Sequence, residues 1–332
     1  MRTSKVMACL GVLALAAGAA PQAGAHPLET AAADAASATR SPLIVPADPP
    51  EFHQTCNASH FSTDDPIVAH GVTGPHMHDF FGNSQTDKWS TPTSLRTAVS
   101  TTTCASDRPA DKAAYWVPSL YVLGASLPAT RYAPQFVRSY YLGAGIANLS
   151  SIENIPYGLE MVAGNSMSAD PQSTDIVNWA CLKSTGTEPL FDTIPSGCPV
   201  TGDYTGVLRL RVQFPNCWDG VHDYLPGTAH MRYAWQNNDG TKDTSADPSA
   251  ACPSNYNHPI PQIRLGVQWD VASLGAGGLT GAYVASDPMA GGTSGHSAHG
   301  DFMNGWDQTV LDGLIQTCIR NNPQTPPATC NK

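Results

Sequence analysis

The chain of 332 residues is predicted to be mainly β: a single antiparallel β-sandwich or jelly-roll-like domain with long loops, one C-terminal helix and disulfide staples. Three observations carry this. Gly (29) and Pro (28) are plentiful and charged residues make up only 13% of the chain, which suits a loop-rich fold and disfavours a helical bundle or coiled coil. Short runs rich in β-branched and aromatic residues recur between turn residues. Of nine cysteines, Cys9 falls in an apparent leader, and the remaining eight are an even number that favours up to four disulfides in an exported chain.

The elements follow in order. Residues 1–25 read as a secretion signal, with Arg2 and Lys5 before an apolar stretch and Ala23-Gly24-Ala25 as the cleavage site. That stretch is shorter than the roughly 20 residues of a membrane span, and no later segment reaches this length. Residues 26–50 form an Ala/Ser/Pro-rich tether, and residues 51–332 one domain, since neither an internal repeat nor a second linker interrupts them. Strand character appears at 66–70, 115–123, 136–142, 207–214 and 260–271. In 207–214, Leu208, Leu210, Val212 and Phe214 share one face. Residues 306–320 carry apolar side chains at helical spacing, with Asn304 or Asp307 as the cap. Pairing by proximity along the chain gives Cys56–Cys104, Cys181–Cys198, Cys217–Cys252 and Cys318–Cys330, although spacing alone leaves connectivity open.

The formal net charge is -10, and loss of the leader's two cations makes it -12. Phosphate backbones need clustered Lys and Arg, so nucleic acid is disfavoured as a partner. No phosphate-binding Gly-rich loop and no GxSxG stretch occurs.

The densest chemistry lies in His76-Met77-His78-Asp79-Phe80-Phe81-Gly82 and in the stretch from His296 to Asp307. Residues two apart on a strand point the same way, so His76 and His78 project together, as a two-imidazole metal site or an acid/base pair requires. The fold is expected to bring these two distant stretches into one solvent-reachable hollow. His230, His258 and His299 are natural completions of a three-nitrogen metal set, and His76, His78 and His230 are the ligands singled out for a divalent copper or zinc ion. Asp79, Asp219 and Asp301 are the carboxylates placed for acid/base work, Asp301 beside Phe302 and Trp306 in surroundings that would raise its pKa. For each, a bland role competes: histidines satisfying loop carbonyls, Asp219 closing a turn, Asp301 orienting His299, and tryptophans serving as core. Cleavage after Ala25 would also expose His26 as an amino-terminal histidine, the arrangement of a copper brace.

The ordered pieces DDPIVAHGVTGPHMHDFFG, YWVPSLY, IPYGLEMVAGN, FPNCWDG, AHMRYA, CPSNYNHPIPQI and HGDFMNGWDQTVL resemble, in their shared order, the secreted family catalogued as domain of unknown function 1996. The resemblance runs from about Asp65 to Cys318. It implies a polysaccharide setting but carries no mechanism. Gly227 departs from it, standing where many members carry a second histidine before the one matching His230. The expected function is a secreted, monomeric carbohydrate-active enzyme, a hydrolase of a cell-wall or extracellular polysaccharide. His78, His299, Asp301 and Asp219 are its catalytic candidates; Trp218, Trp306, Asp79, His258 and Asn304 are its substrate-binding candidates. The alternatives are a non-catalytic glycan-binding surface protein and a His-ligated metal protein.

Overall fold

The computed structural model describes residues 49–104, 108–123, 129–244, 251–322 and 327–330. The leader, most of the tether and His26 lie outside them. The strands are β1 (Glu51–Ser62), β2 (His78–Gly82), β3 (Ala114–Pro118), β4 (Leu120–Val122), β5 (Thr130–Tyr132), β6 (Phe136–Leu142), β7 (Glu160–Gly164) and β8 (Val177–Lys183). They continue with β9 (Tyr204–Gln213), β10 (Cys217–Trp218), β11 (Met231–Arg232), β12 (His258–Pro259), β13 (Gln262–Asp270), β14 (Tyr283–Val284) and β15 (His299–Met303).

Nine strands form one antiparallel sheet in the order β7-β15-β3-β2-β1-β6-β13-β9-β8. β1 hinges it. Glu51 to Asn57 pair with β6, Ala58 to Ser62 pair with β2, and the register shifts between Ala58 and His60. Such an irregularity bends a strand and lets it serve two sheet halves. The halves face each other: a Cβ on Gly300 of β15 would stand 3.2 Å from Val212 of β9 and 3.4 Å from Leu265 of β13. Two three-stranded sheets, β11-β10-β12 and β14-β4-β5, complete the β structure.

Alternation along the strands divides the apolar residues. One face of β2, β3 and β15 sends Phe81, Tyr115 and Phe302 into the main core, with Phe52, Trp179, Leu208, Leu210, Val212 and Trp269. The other face carries Phe80, Trp116 and Met303, which form a smaller cluster with Ile67 and Leu95. The expected mainly β, antiparallel, disulfide-stapled fold is what is found. All four disulfides have the partners that proximity suggested.

Three local expectations change. Residues 66–70 form turns, because the Asp65 carboxylate accepts from the Val68 N–H and the Asp65 carbonyl from the Ala69 N–H. The strand expected over 115–123 breaks between β3 and β4 at Ser119, whose N–H donates to the Met77 carbonyl and whose own carbonyl accepts from Ala285. The C-terminal helix starts later than expected, as α1 (Gln308–Leu314), and widens into a π turn over Ile315–Arg320; Asp307 caps it, accepting from Thr309 and Val310. Among the described residues no helix is long and apolar enough to cross a membrane.

Candidate metal centre

β2 and β15 flank β3, and each presents a histidine beyond the end of the small apolar cluster. His78 opens β2 and pairs with Pro118; His299 opens β15 and pairs with Gly164. The loop 63–77 closes over them and delivers His76. The rings of His76 and His78 stand 4.4 Å apart between centroids, and His299 lies 5.1 Å from the first and 5.6 Å from the second. One nitrogen from each of the three lies within 4.8 Å of the others.

Backbone carbonyls set the tautomers. A carbonyl only accepts, so His78 Nδ1 carries the proton it shares with the Asp64 carbonyl at 3.1 Å, and His299 Nδ1 the one shared with the Ser297 carbonyl at 2.9 Å. Both rings are thereby left with bare Nε2 atoms, the outer-sphere arrangement that metal-bound histidines use. His299 Nε2 meets His76 Nε2 at 3.3 Å. Two nitrogens, each 2.0–2.1 Å from one tetrahedral cation, stand roughly 3.3–3.4 Å apart, so the observed edge matches.

A hydrogen bond between His76 and His299 is the simpler account of that contact, but it leaves too much unsatisfied. His78 Nε2 and both Asp301 oxygens are buried with no hydrogen-bond partner, and Asp301 Oδ2 lies 3.8 Å from His299 Nε2. Unpaired buried polar atoms are costly and rare. A cation between the three histidines would give His78 Nε2 a partner and set a positive charge beside the Asp301 carboxylate.

Burial sets the protonation. It lowers His76 to about 4, holds His78 well below the ordinary imidazole range with help from its two histidine neighbours, and lowers His299 to about 3. All three are therefore neutral electron-pair donors at neutral pH. Burial raises Asp301 well above the ordinary carboxyl range, and the nearby Asp65 charge adds to this. The expected solvent-reachable hollow is not found: the three histidines and Asp301 converge, but all four are buried. A second cluster, Cys56, Cys104 and Asp111, offers no thiolate because its cysteines are joined.

The other candidates lie elsewhere. Asp79, on the opposite face of β2 from His78, pairs with Arg131 (Nε to Oδ1, 2.9 Å); burial outweighs that pairing and raises it to about 6. His230 is buried outside the triad and its Nδ1 accepts from the Leu225 N–H. Asp219 accepts from the N–H groups of Val221 and His222, closing a turn. Trp218 donates its indole N–H to the His222 carbonyl, and His258 Nδ1 bonds Glu153 at 2.9 Å. Trp306 is fully buried and donates to the Tyr141 hydroxyl, so it has no ring face for a sugar. Asn304 accepts from the Trp306 N–H and donates to the Pro156 carbonyl. Sequence reasoning missed Asp65, Glu160 and Tyr224 beside Asp301. Charges on Glu160, Asp65 and Asp301 all bear on the Tyr224 hydroxyl. Asp65 was within reach, since it is the second residue of the motif DDPIVAHGVTGPHMHDFFG.

The model of one protein family, described as Domain of unknown function (DUF1996), matches residues 65–306. No curated protein and no solved structure matches the chain.

Proposed function

The chain belongs to the DUF1996 family, whose description names no activity, and from its buried histidines we propose that it is a metal-binding protein. A divalent transition-metal ion, zinc or copper by ligand type, is held by His76, His78 and His299, with the Asp301 carboxylate beside His299 as a neighbouring negative charge. The observation that carries this is the convergence of two tautomer-set Nε2 atoms with His76 at a tetrahedral edge length, beside an unpartnered carboxylate. The cation supplies the positive charge that this cluster lacks. The chain contributes the neutral imidazoles, the carbonyls of Asp64 and Ser297 that orient two of them, and a cover over the site.

Untagged full-length protein is expected to contain one equivalent of metal. After chelation, added zinc or copper should raise Tm; at a free concentration of about 100 Kd the stabilisation is about 2.7 kcal/mol. His78→Ala and His299→Ala should lose both. Substoichiometric metal together with an unmoved Tm sinks the proposal.

Hydrolysis of an extracellular polysaccharide, with His78, His299 and Asp301 at the centre, is the second reading. It is favoured by the raised carboxyls: Glu160 is lifted to about 7, mainly by burial, and Asp301 is raised too. Reducing-end release from β-glucans or chitin, absent in Asp301→Asn, is its test. Retention of glycan without product release fits the non-catalytic binding alternative instead.

A further inference from the structure

The half of the sheet remote from the histidines carries an arrangement that the fold does not explain. Arg138 of β6, Gly266 of β13 and Arg211 of β9 stand side by side in register. Arg209 and Arg264 lie two residues along from Arg211 and Gly266, and therefore on the same face. The guanidiniums are close enough that Arg211, Arg264 and Arg138 all act on the charge of Arg209. Two of the four share one carboxylate: Glu188 pairs with both Arg209 and Arg211. Arg138 Nε reaches the Thr55 hydroxyl at 3.4 Å, and Arg264 donates to Gln213 Oε1 from Nε at 3.2 Å and from Nη2 at 3.0 Å. Arg209 is only 9% exposed, and its Nε has no hydrogen-bond partner. Burial, then its cationic neighbours, lower its pKa to about 10.

Gly266 sits at the centre of this ring. Its φ is outside the left-handed region, and an added Cβ would meet nothing nearer than 3.7 Å, so neither backbone nor packing calls for glycine there. A glycine inside a strand weakens it, and such a position often marks the close approach of a ligand. Here the missing side chain leaves open space beside the Arg209 Cδ and the Tyr140 ring, 3.7 and 3.8 Å from where a Cβ would stand.

We infer that this face holds a compact oxyanion, of phosphate or sulfate size, over Gly266 and between Arg138, Arg209, Arg211 and Arg264. Tetrahedral oxyanions accept from several guanidinium forks at once, and such charge-assisted bonds are the strong ones. The anion would relieve the mutual repulsion of the four cations and give the Arg209 Nε–H an acceptor.

Thermal melts of the full-length chain in phosphate, sulfate and chloride at matched ionic strength test this. Chelator is present throughout, so that the metal centre plays no part. Phosphate or sulfate should raise Tm saturably while chloride does not. Gly266→Val keeps all four charges but fills the cradle, and Arg211→Gln removes one fork; each should raise the half-saturating concentration at least about tenfold. An equal Tm in phosphate and chloride overturns the inference, as does unchanged half-saturation in the variants. Glucose 6-phosphate separates the sources: a shift as large as that from phosphate assigns the group on a larger molecule, and none assigns the free ion.

Discussion

Replacing Asp301 by Asn should move stability in opposite directions with and without metal. In the chelated protein the carboxyl is buried, has no hydrogen-bond partner, and is raised well above its ordinary value of 3.8, chiefly by burial. Its folded form holds the proton at pH values where the unfolded chain has released it. The unfolded state therefore binds fewer protons, and stability falls as pH rises above 3.8. At 1.36 kcal/mol per pH unit, holding the proton to pH 7 costs at most about 4 kcal/mol. Asn carries no such cost. Asp301→Asn should therefore gain stability at pH 7, by no more than about 4 kcal/mol, and almost nothing at pH 4. At 2–4 °C per kcal/mol, the rise is at most roughly 8–16 °C. With zinc the order should reverse, because the bound cation then favours an ionised carboxylate beside His299 over a neutral amide. Melts followed by far-UV circular dichroism at pH 4, 5.5 and 7, in chelator and in zinc, give the comparison. A variant destabilised equally at pH 4 and pH 7 in chelator would refute the reasoning, since it would mean that Asp301 has an ordinary partner.

Two further outcomes follow. Burial raises Asp79 to about 6, Asp111 to about 7 and Glu160 to about 7, so each adds stability at acid pH that is lost as pH climbs to its folded value. Burial lowers His76 and His230 to about 4 and His299 to about 3, so each loses stability as pH falls below 6.5. The two sets oppose each other between about 4 and 6.5, and only the carboxyls act above. Metal-free protein should therefore be less stable at pH 8 than at pH 6.5; a Tm that climbs over this interval contradicts the assignment. Arg131→Met removes the partner of a buried carboxylate, and breaking such a pair costs about 3–5 kcal/mol. Urea denaturation at pH 7.5 should show this, and Asp79→Asn in the same chain should recover much of it. No recovery would mean that Arg131 acts by covering Phe61 instead.

Local pattern made some of the fold legible and left the rest to long-range pairing. The alternation in 136–142 marks β6 to the residue, because that strand runs down the middle of a sheet half with unlike faces. Residues 66–70 have strand-like composition, but Pro66 lacks a donor and Asp65 captures the next free N–H groups. At the site, His78 on β2 and His299-x-Asp301 on β15 each mark a strand face, whereas His76, expected on the same strand as His78, joins from the loop before β2. That the two faces meet depends on β3 lying between β2 and β15, a non-local choice no spacing encodes. The carbonyls of Asp64 and Ser297 orient the rings, and a backbone carbonyl leaves no mark in a sequence. Trp306 and Asn304 show the converse: a polar and aromatic motif of the kind that binds sugars here ties α1 to the core.

Burial decides how much can pass through the centre. A sugar ring cannot reach His78 or Asp301 unless the loop 63–77 moves, whereas an ion needs only a brief opening. The loop is pinned at its root, where the Gly74 N–H donates to the Thr63 carbonyl at 2.7 Å. A Cβ on Gly74 would stand 2.5 Å from that same oxygen and 3.3 Å from the Asp65 side chain. Gly74→Ala must therefore spread the root of the loop while keeping every proposed ligand. Metal should then leave faster, by about tenfold if the opening becomes easier by about 1.4 kcal/mol, as competition with a chromogenic chelator would read. If polysaccharide is cleaved at this centre, the same variant should raise turnover, because entry is the step that burial obstructs. An unchanged metal off-rate would mean that the ion leaves by a path other than this loop, and the loop could then no longer be called the cover of the site.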